Sequence, residues 1–337
     1  MAQTEFERIA HIRRTVPADM ADLLVGIGDD AAVLRPPTRP LVVTTDTMIE
    51  DVHFRTGWTT PRETGRKLAA TNLSDIAAMG AEPRFATLAM ALPKAVGREE
   101  FEELLRGVVE RLGEYGAAIV GGDLTGSPKP RVLTLTLFGE APSRGVLLRS
   151  GARSGDHLCV VGPLGDAALA LRMSERGEHP RDIAERRKPP WSALFDPVPR
   201  CRLGRALGTS GLATAAIDIS DGLVQDLGHL TLASGLVADL ALERLPLSAP
   251  LRRHEAAEDL ALAGGEDYAL LFAVAPSDLE AVAALASSTP ESAPISWIGV
   301  LRHPNQGERC GAVVFRRHGE AVRKELDGGF DHFRAGR

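Results

Sequence analysis

LVVTTDTMIEDVHFRTGWTTPRETGRKLAATNLSDIAAMGAEPRFATLAMAL, residues 41–92, reads as strand, helix, strand. The opening LVVTTD, 41–46, is an apolar, β-branched run that ends on an acid, Asp46. Thr60 followed by Pro61 is a helix cap and first-turn pair, and it predicts a helix over 61–79. Leu68, Ala69, Leu73, Ile76 and Ala77 recur there at helical spacing, and Gly80 stops the run. RFATLAMAL, 84–92, returns to a strand before Pro93. Strands that alternate with a helix of this length predict an α/β architecture.

The same grammar extends outward. The N-terminal MAQTEFERIAHIRRTV reads as an amphipathic helix. Residues 98–115 form an acidic amphipathic helix, AAIVGGD (117–123) a short strand running into a turn, and VLTLTLFGEA (132–141) an alternating strand. A Gly-, Ser- and Arg-rich break at 141–156 divides the chain into domains at 1–145 and 146–337. The second half restarts with strand HLCVVGP, helix GDAALALRM, strand AAIDIS and helix DGLVQDLGHL, followed by strands at 268–275 and 296–301. The Pro- and charge-rich 178–199 reads as a loop with short helical pieces. No short-period repeat occurs, although both halves share strands and helices punctuated by GD or SD turns.

The chain of 337 residues is long enough for two domains. Its net charge of −6 has no long Lys/Arg run to set against it, which argues against nucleic acid as a partner. No apolar stretch reaches the roughly 18 residues of a membrane span, and the N-terminus lacks the apolar core of a signal peptide. Cys159, Cys201 and Cys310 form no CxxC pair, so they read as reduced residues of a cytoplasmic protein.

The acids are distinctive by position. Asp30 follows GIG, where Gly26 and Gly28 shape a turn that presents it, while Asp29 keeps no assigned role. Asp46 and Asp123 end strands, Asp75 sits in an otherwise apolar helix, and Asp218 and Asp221 flank the end of AAIDIS. A lone Asp beside Gly is ordinarily a turn residue or a cap. Asp75 fits that reading worst, because a mid-helix Asp has poor propensity and needs a reason. If these acids converge, their repulsion, about 4 kcal/mol per pair at 4 Å, calls for raised pKa values or a cation. Oxygen-only donors suit magnesium, and the hydroxyls of Thr44, Thr45 and Ser220 stand beside the acids as further ligands.

Magnesium held by carboxylates commonly meets a phosphate. The chain has no GxxxxGK[ST], no kinase HRD set, no GxSxG and no HExxH. What remains is the glycine turns GGD (121–123) and GGED (264–267), with Arg149 as the first cation for a phosphate and Arg153 as the next.

At this point GIGDDAAVL, VVTTDTMIEDVHF, KLAATNLSDIAAMGAEP, IVGGDLT, LLRSGARSGD, AIDISDGLVQDLGHL and LAGGEDYALLF together resemble the thiamine-monophosphate kinase family, in that order, from about residue 5 to the final GGFDHF. The wider group resembled is the ATP-binding superfamily of aminoimidazole ribonucleotide synthetase. The resemblance implies two α/β (α+β) domains. The N-terminal one, 1–145, would bind ATP and magnesium and pair with a second copy into a shared β-barrel, giving a homodimer. It implies that ATP phosphorylates thiamine monophosphate to thiamine diphosphate, with several magnesium ions and with potassium as a candidate further cation. Asp30, Thr44, Thr45, Asp46, Asp75, Asp123, Asp218 and Asp221 would hold magnesium. Gly122, Asp123, Arg149, Ser220 and Tyr115 would contact ATP, and His53, Glu266 and Phe330 thiamine monophosphate. The chain's EDVHF departs from the EGVHF form expected of the family, with Asp51 at the glycine position.

The implied reaction is direct in-line transfer of the γ-phosphoryl group to a phosphate oxygen already ionised near neutral pH, so no side-chain base is expected. Among rival members of the superfamily, a selenophosphate synthetase would carry a reactive Cys near the N-terminus, and none precedes Cys159. A hydrogenase-maturation relative would end in cysteine, where this chain reads HFRAGR. A non-catalytic nucleotide-binding regulator is the rival from another class, and turnover separates it.

Overall fold

A computed structural model describes residues 4–17, 20–291 and 294–326. The described residues fall into two compact units, those of 1–76 with 81–141 and those of 77–80 with 142–337.

In the first unit, helix α1 (Glu5–Thr15) opens on a capping box between Thr4 and Glu7. Strands β1 (Leu23–Val25) and β2 (Val33–Leu34) pair antiparallel, so GIGDDAA is the connection between them. Strand β3 (Leu41–Ile49) leads to helix α2 (Pro61–Ala78), strand β4 (Glu82–Pro93), helix α3 (Arg98–Gly113), and strands β5 (Ala118–Ser127) and β6 (Val132–Glu140). The anticipated cap of α2 is present as a full box: the Thr60 N–H donates to Glu63 Oε2 at 2.8 Å and the Glu63 N–H to Thr60 Oγ1 at 3.2 Å.

The strands order as β3-β6-β4-β5, with β4 and β5 parallel and the other pairs antiparallel. Alternation decides which face is covered. Leu133, Leu135 and Leu137 of β6 are fully buried, as are Leu68, Leu73 and Ile76 of α2. On the other face Leu41 and Val43 are half exposed, and Thr45 bonds Thr136 and Thr47 bonds Thr134 across the β3–β6 pair, each at 2.9 Å. Helices α2 and α3 approach through Gly65 and Gly107. A Cβ on either would lie 2.1 Å from a carbonyl oxygen of the facing helix, so only glycine fits.

The second unit contains β7 (His157–Val161), α4 (Asp166–Glu175), α5 (Ile183–Arg186), α6 (Trp191–Phe195), α7 (Cys201–Ser210), β8 (Ala213–Ile219), α8 (Leu223–Ser234), β9 (Val237–Ala241), α9 (Ala257–Ala263), β10 (Ala269–Val274), α10 (Leu279–Ser287), β11 (Ile295–Arg302), β12 (Val313–Arg317) and β13 (Glu320–Val322). Its strands form one mixed sheet, β13-β12-β9-β11-β7-β10-β8, in which only β12 and β9 run parallel. Leu158, Ile217, Leu227 and Leu271 belong to one core of this unit. Cys159 and Phe272 belong to the other. The expected mixed α/β, two-domain fold is observed. The sequence reading did not anticipate helix α7. Its Gly204 and Gly208 bring it onto the 77–80 segment, where a Cβ on Gly204 would meet the Ala77 carbonyl oxygen at 2.1 Å.

Candidate functional site

In the first unit, residues at every second position of β3 turn toward α2. Val42 and Met48 are buried, while Thr44 and Asp46, between them, are half-buried. The Thr44 hydroxyl donates to the Asp75 carboxylate. Burial and the nearby Asp75 charge push the Asp46 carboxyl up to about 6, and the Thr71 hydroxyl pulls it back in part. Thr44, Asp46 and Asp75 therefore converge, and Asp75 has the reason that a mid-helix acid needs. Two carboxylates and a hydroxyl form an all-oxygen donor set whose like charges already disfavour ionisation, which fits a hard divalent cation.

Asp46 lies three residues inside β3, not at its end, because the strand continues to Ile49. Its orientation comes from the alternation of the strand. By the same alternation the Thr45 side chain points to the opposite face, where it bonds Thr136 at 2.9 Å.

The GGD segment also differs from expectation. It is not a turn, because β5 runs through it to Ser127. Gly122 packs against β4 so closely that a Cβ would lie 1.9 Å from the Leu88 carbonyl oxygen. Asp123, exposed, sits level with Ala89 and Thr134, and so with Thr47 on β3. It is on the opposite edge of the sheet from Asp46, about 14 Å away across three strand spacings.

Asp30 is exposed at the tip of the β1–β2 connection, and its N–H donates to Asp29 Oδ1 at 2.9 Å. Asp29 thus shapes the turn. Tyr115 is half-buried just past α3. Among the described residues, no group of three or more His, Cys, Asp or Glu side chains is placed to hold a metal ion by itself.

The His53 loop folds on itself after β3. The His53 N–H donates to the Ile49 carbonyl at 2.9 Å, and the Ile49 N–H donates back to His53 Nδ1 at 3.0 Å. An accepting Nδ1 leaves the hydrogen of the neutral ring on Nε2, facing away from that bond. Asp51 takes φ 66°, the left-handed conformation that a glycine would adopt freely. The EDVHF departure is therefore accommodated by backbone strain at Asp51, with the loop bonds intact. Phe54, buried, and Thr59 help to line a cavity of about 410 Å³ beside this loop.

In the second unit, two loops interlock. The Glu266 N–H donates to the Ser220 carbonyl at 2.7 Å and the Tyr268 N–H to that of Ile219 at 2.8 Å. Asp218 in β8, Ser220, Asp221 and Glu266 are thereby gathered at one end of β8 and β10. Glu266 stands at φ 67°. Arg149 is exposed, and its carbonyl accepts the Ser234 hydroxyl at 3.1 Å. Phe330 lies outside the described residues.

Two organising acids were missed in the sequence. Asp226 Oδ2 accepts the N–H groups of Ser220, Asp221 and Gly222 at 3.0, 3.1 and 3.2 Å, and burial pushes its carboxyl up to about 7. Asp267 accepts the Gly165 N–H at 2.7 Å, holding the GGED loop to the start of α4, and burial raises it well above the usual carboxylate range. The available signal was position: an acid in the first turn after SDG is a cap for the donors before it.

The chain matches the family AIR synthase related protein, N-terminal domain, over residues 28–141, and the corresponding C-terminal domain over 153–306. It is 36% identical to the thiamine-monophosphate kinase of Escherichia coli strain K12 over 339 residues, 99% of each chain. The crystal structure of thiamine-monophosphate kinase from Stenotrophomonas maltophilia K279a is similar with a TM-score of 0.82 at 36% identity, covering 96% of this chain and 99% of that one. AaThiL complexed with AMPPCP and TMP is similar with a TM-score of 0.73 at 28% identity, covering 98% and 97%.

Proposed function

The chain belongs to the thiamine-monophosphate kinase family, and from that premise we propose how its own residues carry out the ATP-dependent phosphorylation of thiamine monophosphate to thiamine diphosphate. One observation carries the reading: Thr44, Asp46 and Asp75 meet on the inner face of β3, with the Asp46 carboxyl pushed up to about 6. Such a donor set accepts a divalent cation and, through it, a polyphosphate.

Both reactants are anions, so charge is the main barrier. Asp30, Thr44, Asp46, Asp75, Asp123, Asp218 and Asp221 would hold magnesium, with potassium a further candidate ion; Thr45, turned to the opposite face of β3, falls out of that set. Bound there, magnesium supplies the positive charge that lets the two phosphates meet. Arg149, Ser220 and the Gly122 main chain bind the ATP phosphates, and Tyr115 lies near the nucleotide. A phosphate oxygen of thiamine monophosphate bonds to the γ-phosphorus as the bond from that phosphorus to the bridging oxygen of ADP breaks. The attacking oxygen is already ionised, so no side chain needs to remove a proton. His53 offers Nε2–H to thiamine monophosphate, while Glu266 holds the substrate from the GGED loop.

The sheet itself argues for a homodimer. Asp46 and Asp123 stand on opposite edges of the four-stranded sheet, too far apart to share one ion. A second copy with its β5 edge along β3 would bring its Asp123 to the strand that carries Asp46 and would cover the face bearing Leu41 and Val43. Closure of two such sheets into a barrel removes both edges. Three free cysteines fit a reducing, cytoplasmic setting. Asp46→Asn and Asp123→Asn, assayed for thiamine diphosphate formation at saturating magnesium, should each lose at least about 100-fold in rate. Near-normal turnover in both overturns the reading.

A further inference from the structure

Helix α2 carries a polar stripe through an apolar surface. Lys67, Thr71 and Asp75 recur at every fourth residue and therefore share one face. Asp75 and Thr71 on this stripe interact with Thr44 and Asp46 of β3. Lys67 lies one turn before Thr71 on this row and is only 2% exposed. Among the described residues it is the only buried lysine. Burying an ammonium group is costly unless its hydrogens are accepted, so it is retained where its contacts do something that an apolar residue cannot.

Its Nζ donates to the main-chain carbonyl of His53 at 3.3 Å. That contact ties α2 to a short loop that is bonded mainly within itself and, at Glu50, to Arg131. The Asp51 N–H donates to the Phe54 carbonyl at 2.8 Å, the Val52 N–H to Ile49 at 3.1 Å and the His53 N–H to Ile49 at 2.9 Å. The His53 ring is tied back to the Ile49 N–H at 3.0 Å. All these bonds are internal to residues 49–54; Lys67 adds one from a rigid helix. Asp51 holds φ 66° inside the loop, a conformation that persists only when its surroundings impose it. Phe54 then turns into the core at 7% exposed, next to the cavity that it helps to line.

We infer that Lys67 is a positioning residue that clamps the 50–54 loop to α2 and so sets the direction in which His53 presents Nε2–H to thiamine monophosphate. The inference rests on the proposed role of His53 as a substrate contact. The helix that carries Asp75 to the phosphate end of the site thus also fixes the organic end, through a single lysine two turns away along the same face. A lysine serves here because one flexible, apolar stem reaches through the core and ends in several donors. Methionine would fill the stem's space without the donors.

Hydrogen exchange of the full-length protein tests the clamp without any ligand. In Lys67→Met the amides of His53 and Phe54 should exchange at least tenfold faster than in the unmodified chain, while amides of β6 stay unchanged. Kinetics then test its consequence. Lys67→Met should raise KM for thiamine monophosphate about tenfold and leave KM for ATP within twofold. Combined with His53→Ala, it should add little further, since both changes disable the same contact. Lys67→Gln, a shorter donor, replaces the methionine variant if that one does not fold, with the same split in KM expected. Unchanged exchange at His53, equal rises in both KM values, or fully additive effects with His53→Ala overturn the proposal. If the unmodified chain forms no thiamine diphosphate, the functional reading fails and the exchange result alone decides the clamp.

Discussion

Replacing Gly122 by alanine tests how tightly the phosphate end of the site is registered by the sheet. The added Cβ would sit 1.9 Å from the Leu88 carbonyl oxygen and 2.7 Å from its carbon, so main chain blocks it and no side chain can rotate away. To reach 3.0 Å, the nearest approach that real Cβ atoms tolerate, β5 must withdraw from β4 by about 1.1 Å. Asp123 is the next residue and moves with it. A misplacement of about 1 Å in a reacting constellation costs on the order of 100-fold in rate. Overpacking of this kind also costs about 1–3 kcal/mol of stability. The assay is the rate of thiamine diphosphate formation at saturating ATP, thiamine monophosphate and magnesium, alongside a denaturant midpoint. A loss of about 100-fold with a fold that remains cooperative is expected. Gly122→Ala with turnover within twofold of the parent refutes the reasoning, because either Asp123 does not need its position or β5 is not held where the sheet puts it.

Asp46 should respond to metal through its proton. Its carboxyl is pushed up to about 6 without metal, so at pH 6 it is about half protonated, and cation binding requires the carboxylate. Adding magnesium in weak buffer at pH 6 should release protons, less so at pH 8, and Asp46→Asn should remove that difference; equal release by the parent at both pH values counts against the assignment. Asp226 concerns stability. Its folded-state carboxyl stands near 7 against an ordinary 3.8, so its contribution is fully present below about 3.8 and is lost as pH rises through 7. The parent should therefore lose stability relative to Asp226→Asn between about pH 4 and pH 7 in urea titrations, and a gap that widens in the parent's favour contradicts the burial argument. Asp51→Gly should relieve the left-handed strain at φ 66° and raise stability by up to about 1 kcal/mol, read as a higher thermal midpoint. A lower midpoint would mean that the Asp51 side chain contributes more than its backbone costs.

Much of the fold was legible because its signals are local. Thr60–Pro61, the apolar spacing that follows and Gly80 mark α2 to within a residue of its observed end at Ala78. The alternation of 132–140 identifies β6 as a half-covered strand. Helix α7 was not legible, since CRLGRALGTS reads as glycine-broken until its glycines are seen against the backbone of 77–80. The strand that absorbs GGD was hidden for the same reason: Gly122 resembles a turn residue until β4 is beside it.

The candidate site divides along the same line. By itself the sequence determined the oxygen-rich chemistry, because residue type sets which ion and which reactant can be held: carboxylates at Asp30, Asp46, Asp75, Asp123, Asp218 and Asp221, with hydroxyls beside them and no soft ligands grouped for another metal. Tertiary structure alone decided which of them meet. Thr44, Asp46 and Asp75 converge because two-residue periodicity on β3 faces four-residue periodicity on α2, and Asp226 and Lys67 act through backbone groups whose partners are set by packing. Asp123 was separated from Asp46 by strand order, a property of how β-strands pair across the whole sheet, on which no local run of residues carries information.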